Sequence, residues 1–304
     1  MNAARNGGNM HTGDRKRRWL GLAFISPWVF GFLAFTVYPV VASLYYSFCD
    51  YDVLSRPIWV GLLNYQDMVT DTVYWKALSN TLVFSAISLP LGLCFALALA
   101  LLLNRPIAGR GLFRAMYYLP SLVPAVAAGA VWLWLLNTRD GLINQSLLWL
   151  GMNRPPQWLD DPLWTKPGLA LVAIWGCGNT VVILLAALQG VPRALLEAAT
   201  IDGASAWRRL WHVVIPAISP VIYFNLIVGV IGALQTVATV FVMFTNGGPN
   251  RSALFYAVYL YETAFESRQM GYACAMAWVL FLLTLGLTWL ASRSTRGFVH
   301  YSTE

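Results

Sequence analysis

Six long windows of the chain contain no Asp, Glu, Lys or Arg: 19–49, 77–104, 115–138, 167–192, 210–250 and 269–292. A helix needs about 20 apolar residues to cross a bilayer core, because hydrocarbon offers its backbone groups no partners. Each window is long enough. The pattern predicts six membrane-spanning helices over about 19–48, 78–104, 114–137, 168–191, 217–245 and 270–291. The longest window, 210–250, has room for a hairpin. Its turn signal, Asn246-Gly247-Gly248-Pro249, lies at its end, so it reads as one span. Pro216 and Pro220 near its start suit the first turns of a helix. The stretch 141–153 is too short to span and reads as interfacial, with Trp149 and Trp158 as anchors.

Composition agrees with this pattern. Of 304 residues 58% are hydrophobic and only 11% are charged, against roughly 25% charged in a soluble domain. A disordered chain and a nucleic-acid-binding domain are excluded despite the net charge of +7. The N-terminal run Arg15-Lys16-Arg17-Arg18 is followed by an uncharged stretch from Trp19 to Cys49. That stretch outruns the roughly 7–15 apolar residues of a cleaved signal and reads as a retained helix. With both termini in the cytoplasm, the tail 1–18, the loops 104–114 and 191–212 and the tail 293–304 carry 13 of the 20 Lys and Arg and 4 of the 13 acids. The outer segments carry 7 bases and 9 acids, so the net is +9 inside and −2 outside. Basic residues concentrate on the cytoplasmic side, as membrane insertion favours. The positive balance reports topology and contact with lipid, with no nucleic-acid partner.

Candidate chemistry within the spans is sparse. Cys49, Cys94, Cys177 and Cys274 are far apart in sequence and read as small apolar residues. His11, His212 and His300 form no cluster with them, so no metal site is expected. No span carries a carboxylate or an arginine at mid-depth, where ion-coupled carriers and voltage sensors place them. There is no Gly-x4-Gly-Lys-Ser/Thr phosphate loop and no paired catalytic constellation. The chain reads as a non-enzyme that draws energy from a partner. An ion-coupled secondary sugar carrier, a membrane-embedded enzyme and an assembly scaffold are the rivals.

The loop 191–220 reads VPRALLEAATIDGASAWRRLWHVVIPAISP. Pro192 is placed to start a helix, and Arg193 to Thr200 contains good helix formers. Asp202 is placed to cap a second short helix, and Gly203 to hold the turn between the two. Pro216 restricts the continuation. The prediction is a helix–turn–helix on the cytoplasmic face, either a handle for a soluble partner or an ordinary interfacial helix.

Glu197-Ala198-Ala199, then Gly203, then Val213-x-Ile215-Pro216 resembles the EAA signature of ABC-importer permeases in spacing throughout, with Val213 and Ile215 as conservative departures. Asp202-Gly203-Ala204 extends the likeness. Ser47 to Tyr51 with Val60 to Tyr65, Asn80-Thr81, Arg114 with Tyr117-Tyr118-Leu119-Pro120, and Thr245 to Pro249 are similar to further motifs of the maltose-transporter type. The likeness covers roughly residues 20–290. The ending Gly297-Phe298-Val299-His300-Tyr301 lacks the Gly-Ala-Val-Lys-Gly of the paired second permease, so the chain resembles the first of the pair.

This resemblance implies an all-α, polytopic protein of the bacterial inner membrane with six transmembrane helices and a cytoplasmic EAA coupling helix. It implies a second permease, two ATPase subunits and an extracytoplasmic solute-binding protein as partners, with a carbohydrate or related solute as cargo. ATP and Mg would be used by the ATPase, and this chain would bind no cofactor. Glu197 would contact the ATPase, Ala198 and Ala199 would allow a close fit, Asp202 would cap, and Gly203 would hold the turn. For the solute path, sugar recognition calls for amides, hydroxyls and aromatic faces. Trp175, Asn179 and Thr180 in the fourth span and Tyr223, Asn225, Gln235, Thr236 and Thr239 in the fifth are the candidates, Asn179 and Gln235 first among them. Hydrogen bonding between helices is the alternative for each. Trp132, Trp134 and Trp149, and Tyr256, Tyr259 and Tyr261, are expected to form an aromatic belt at the outer interface.

Overall fold

The computed structural model describes residues 10–106 and 108–295. Of the two tails, residues 1–9 and 296–304 lie outside the described residues, and with them the Gly297 to Tyr301 ending. Helix α1 (Met10–Phe32) continues through a π turn (Leu33–Val37) into α2 (Tyr38–Tyr46). A hairpin of β1 (Cys49–Asp50) and β2 (Ile58–Trp59) pairs Cys49 with Trp59 in antiparallel register. Then come α3 (Leu63–Thr70), α4 (Thr72–Leu103), α5 (Arg110–Tyr118), α6 (Ala125–Leu135), α7 (Leu142–Trp149), α8 (Pro162–Trp175) and α9 (Gly178–Gln189). The chain closes with α10 (Arg193–Ile201), α11 (Ala206–Arg209), α12 (Ile215–Leu234), α13 (Ala238–Met243), α14 (Tyr256–Tyr261) and α15 (Met270–Thr295).

Among the described residues four helices are long and apolar enough to cross a membrane alone, and two bent pairs raise the number to six. The expected all-α architecture is present with four to six candidate spans, and its departures from straight helices have local causes. The stretch predicted as one helix over 114–137 is α5 and α6, bent by 101°. Pro124 forces the residue before it out of the helical region, and Val123 accordingly sits extended at ψ 127°. The stretch over 168–191 is α8 and α9, bent by 51° at Gly176-Cys177.

The fifth span departs most from the sequence reading. Its helix runs over Ala206–Leu234 rather than 217–245. Gln235 ends it, and α13 then turns to pack against α6. A Cβ added to Gly129 on α6 would lie 3.1 Å from the Val242 Cβ and 3.4 Å from the Thr239 carbonyl, so glycine lets the two backbones approach. Pro216 does not stop this helix either. A π turn (Leu210–Val214) precedes it, as the turn Leu33–Val37 precedes Pro39. Proline lacks an N–H and crowds the carbonyl four residues back, and a π turn relocates that carbonyl.

Helix α4 is the central post, with α8, α9 and α12 packed around it. Asp71 caps its start by accepting from the Val73 and Tyr74 amides at 2.8 and 3.2 Å. At the end carrying α10, Leu99 and Leu103 pack with Val181, Leu184, Leu188 and Ile218. Toward the hairpin end, Phe84, Trp132, Leu136, Leu169, Phe244 and Phe255 form a second core. Met68, Tyr74, Tyr256 and Met276 form a third.

The aromatic belt expected on the surface is partly inside. Trp134 and Trp149 are exposed, but Trp132 is buried edge-on to Trp175 at 6.0 Å. Tyr256 is 0% exposed and donates its hydroxyl to the Met276 carbonyl. Trp158, expected at the interface, is also buried and donates Nε1 to Asn144 Oδ1 at 2.8 Å. Composition marks an aromatic as apolar but does not say whether lipid or protein covers it.

Candidate functional site

The loop between α9 and α12 is built from its glycine. At the end of α10 the Ala204 N–H reaches the Ala199 carbonyl at 2.9 Å, and the Gly203 N–H reaches the Thr200 carbonyl at 3.1 Å. These two bonds satisfy the last free carbonyls of a helix and need a left-handed residue between them. Gly203 supplies it at φ +72°. A Cβ placed there would meet nothing within 4 Å, so the backbone angle and not lack of space demands glycine.

Asp202 therefore occupies the C-cap of α10, and it does not cap the following helix as the sequence suggested. Ser205 does that, its hydroxyl accepting from the Arg208 amide. Pro192 stands at the N-cap of α10, one position before the first helical residue. The second helix of the pair is the beginning of the fifth span and not a separate surface element. A hydrogen bond from Arg209 Nη1 to the Thr200 hydroxyl ties α11 back to α10.

On α10, Leu196 packs against the core cluster that contains Leu188 and Val191, which seats the helix on the bundle. Glu197 and Ala198 are exposed, and Ala199 is half-buried. Ile201 is 87% exposed and Leu195 is half exposed. Trp207 and Trp211, edge-on to each other, continue this uncovered apolar surface. The sequence marks the acidic and small residues of α10 but not these apolar neighbours. Their signal was four large apolar side chains in a loop otherwise rich in charge.

Between α4, α6, α8 and α12 lies a cavity of about 500 Å3. Trp175, Asn225, Thr236 and Thr239 line it, so part of the predicted path set converges. Thr180 also lines it, as do Ser88 and Ser121, which the sequence does not single out because the helix face that meets the cavity is set by distant segments. Asn225 donates Nδ2 to the Val221 carbonyl at 2.8 Å, which leaves its Oδ1 as an acceptor. The other candidates lie elsewhere. Asn179 borders a separate groove between α5 and α9. Tyr223 pairs with Ser292 of α15. Gln235 is exposed at the end of α12. Gly178 beside Asn179 serves close packing, since a Cβ there would lie 2.7 Å from the Tyr117 carbonyl.

The motif-bearing residues at the hairpin end form a lattice of hydrogen bonds. Asn80 donates to the Arg251 and Leu254 carbonyls, and Thr81 accepts from the Tyr256 amide. Gly247 and Gly248 hold the intervening turn at φ +74° and +73°, against Leu254 and Phe244. The Tyr259 and Tyr272 hydroxyls donate to Asp71 Oδ2 at 2.6 and 2.9 Å. Burial alone raises the Asp71 pKa, but these hydroxyls and the Tyr74 and Val73 amides outweigh it and hold the carboxyl below its ordinary value.

A family profile described as binding-protein-dependent transport system inner membrane component matches residues 88–299. The chain is 38% identical over 295 residues to the probable ABC transporter permease protein YesP of Bacillus subtilis (strain 168), covering 95% of this chain and 94% of that one. It is 33% identical to the lactose transport system permease protein LacF of Rhizobium radiobacter, covering 91% and 94%. Its fold is similar to that of a chain in the crystal structure of a bacterial ABC transporter involved in the import of the acidic polysaccharide alginate. The TM-score is 0.83 at 24% identity, over 95% of this chain and 99% of that one.

Proposed function

The chain belongs to the family of binding-protein-dependent transport system inner membrane components, and on that premise we propose how it works as a permease of an ATP-driven sugar importer. The observation that carries the reading is α10, a short helix seated on the bundle by Leu196, with Glu197, Ala198 and Ile201 facing outward and Gly203 closing it. Its exposed apolar side chains sit beside a carboxylate, a combination suited to a cleft on a soluble protein. In this reading the cleft belongs to an ATPase subunit, which binds and hydrolyses ATP with Mg. Two copies drive the assembly, α10 faces the cytoplasm, and so do both termini.

Because Arg209 and the π turn join α10 directly to the fifth span, a movement of the ATPase is passed to α12 as a lever. Transport then requires that the ATPase and the solute each favour a different arrangement of the spans. The cavity beside Trp175, Asn225 and Thr239 is half of the path, and a second permease completes its wall. Hydroxyls and an amide beside an indole suit a carbohydrate, delivered by an extracytoplasmic binding protein. Support for a sugar comes from relatives named for lactose and for diacetylchitobiose uptake.

The test is a crosslink in the complete transporter. A cysteine at Glu197 or Ala198 is expected to capture the ATPase subunit, and uptake is expected to stop on ATP depletion while the ion gradient is intact. A transporter that still takes up solute without such an adduct, or without ATP, would overturn the reading.

A further inference from the structure

At the end of the bundle that carries α10, Arg110, Arg114 and Arg193 line one recess of about 430 Å3 with Asn104 and Gln189, and no acidic side chain is among its lining residues. Helices α5 and α10 both begin at this recess, so their free first-turn N–H groups add positive potential. Arg114 donates Nη2 to the Leu103 carbonyl at 3.2 Å, while its Nε is shielded from water and has no hydrogen-bond partner.

Arg114 and Gln189 also border the groove between α5 and α9, about 560 Å3 and walled by Tyr117, Val182, Ile183 and Ala186. The Tyr117, Val182 and Ile183 side chains are exposed along it. At 1.5 Å per residue, the groove from Gln189 back to Gly178 is about 16 Å long. One leaflet of a roughly 30 Å hydrocarbon core is about as thick. The recess and the groove form one slot, cationic at one end and apolar along its length.

We propose that this slot holds an anionic phospholipid of the leaflet next to the coupling loop. Its phosphate sits among Arg110, Arg114 and Arg193, and an acyl chain lies against α5 and α9. The membrane is the source, since a soluble phosphate makes no use of the apolar groove. The site adjoins α10, so the bound lipid braces the base of the coupling helix. This inference rests on the orientation proposed above. Labelling of Ile201→Cys in sealed vesicles reports that orientation by itself, so the two readings fail separately.

The experiment is native mass spectrometry of the complete delipidated transporter, titrated with phosphatidylglycerol, phosphatidylcholine or glycerol phosphate. Phosphatidylglycerol is expected to be retained in preference to phosphatidylcholine. Arg110→Gln with Arg193→Gln should weaken it roughly tenfold, while the corresponding lysine pair keeps the preference and shows that the fold survives. Val182→Trp should weaken the lipid and leave glycerol phosphate unchanged. Equal retention of the two lipids, unchanged affinity in the glutamine pair, or glycerol phosphate binding as tightly as the lipid would overturn the proposal. So would a site that fills only when the ATPase is removed, because the ATPase would then be its occupant.

Discussion

The Asn80 side-chain amide donates to the Leu254 carbonyl at 3.0 Å, and the same nitrogen reaches the Arg251 carbonyl at 2.8 Å. One side chain near the start of α4 thereby holds a loop more than 170 residues away. Removing it leaves the Leu254 carbonyl without its partner at a buried position and frees the Arg251 carbonyl at a partly buried one. Asn80→Ala is expected to destabilise the protein by about 1–3 kcal/mol, read as a lower melting temperature in detergent. An unchanged melt would mean that water reaches the loop.

Gly203 stands at φ +72° with open space around it. A β-branched residue there meets backbone strain on the order of 1–3 kcal/mol, which tilts or frays α10 while the spans remain inserted. Gly203→Val should abolish uptake with normal membrane levels, and Gly203→Asn, which tolerates left-handed angles, should retain part of it. Wild-type uptake by the valine variant would detach the turn from coupling.

Asp71 gathers α4, α14 and α15 through its bonds to Tyr259 and Tyr272. Its pKa is lowered in the folded protein. Its contribution is therefore fully present above the unfolded carboxyl value of about 4 and is lost as pH falls through the lower folded value. Melting temperature is expected to be insensitive to Asp71 titration between about pH 5 and 7 and to drop below about pH 4. Asp71→Asn should flatten that acid limb, and an identical limb in the variant would assign the loss to other groups.

For the solute path, the lining of the cavity separates the candidates. Asn225→Ala and Thr239→Ala are expected to raise KM or widen selectivity among sugars, because both line the cavity. Gln235→Ala should do less, since its side chain is exposed outside that lining. Competition assays with a panel of sugars order the three. A larger effect at Gln235 would move the path to the end of α12.

Charge-free length predicts six spans because the need to satisfy a backbone in lipid is met by composition alone. The EAA spacing was legible for a similar reason, since a left-handed turn is demanded locally at Gly203. Asn225 and Thr239 were legible as polar groups in apolar surroundings. Ser88 and Ser121 were not, because which face of a helix meets the cavity depends on neighbours far away in the chain.

By itself, then, the sequence determined the all-α membrane architecture, the basic loops, and the helix and turn that carry Glu197 and Gly203. Only the tertiary structure decided where the fifth helix ends, that Tyr256 lies inside, and that Asp71 meets Tyr259. The physical reason is range. Hydrophobic length and glycine geometry act within a few residues, whereas the packing of α13 on Gly129 of α6 or the two carbonyls on Asn80 join segments that meet only after the bundle has formed.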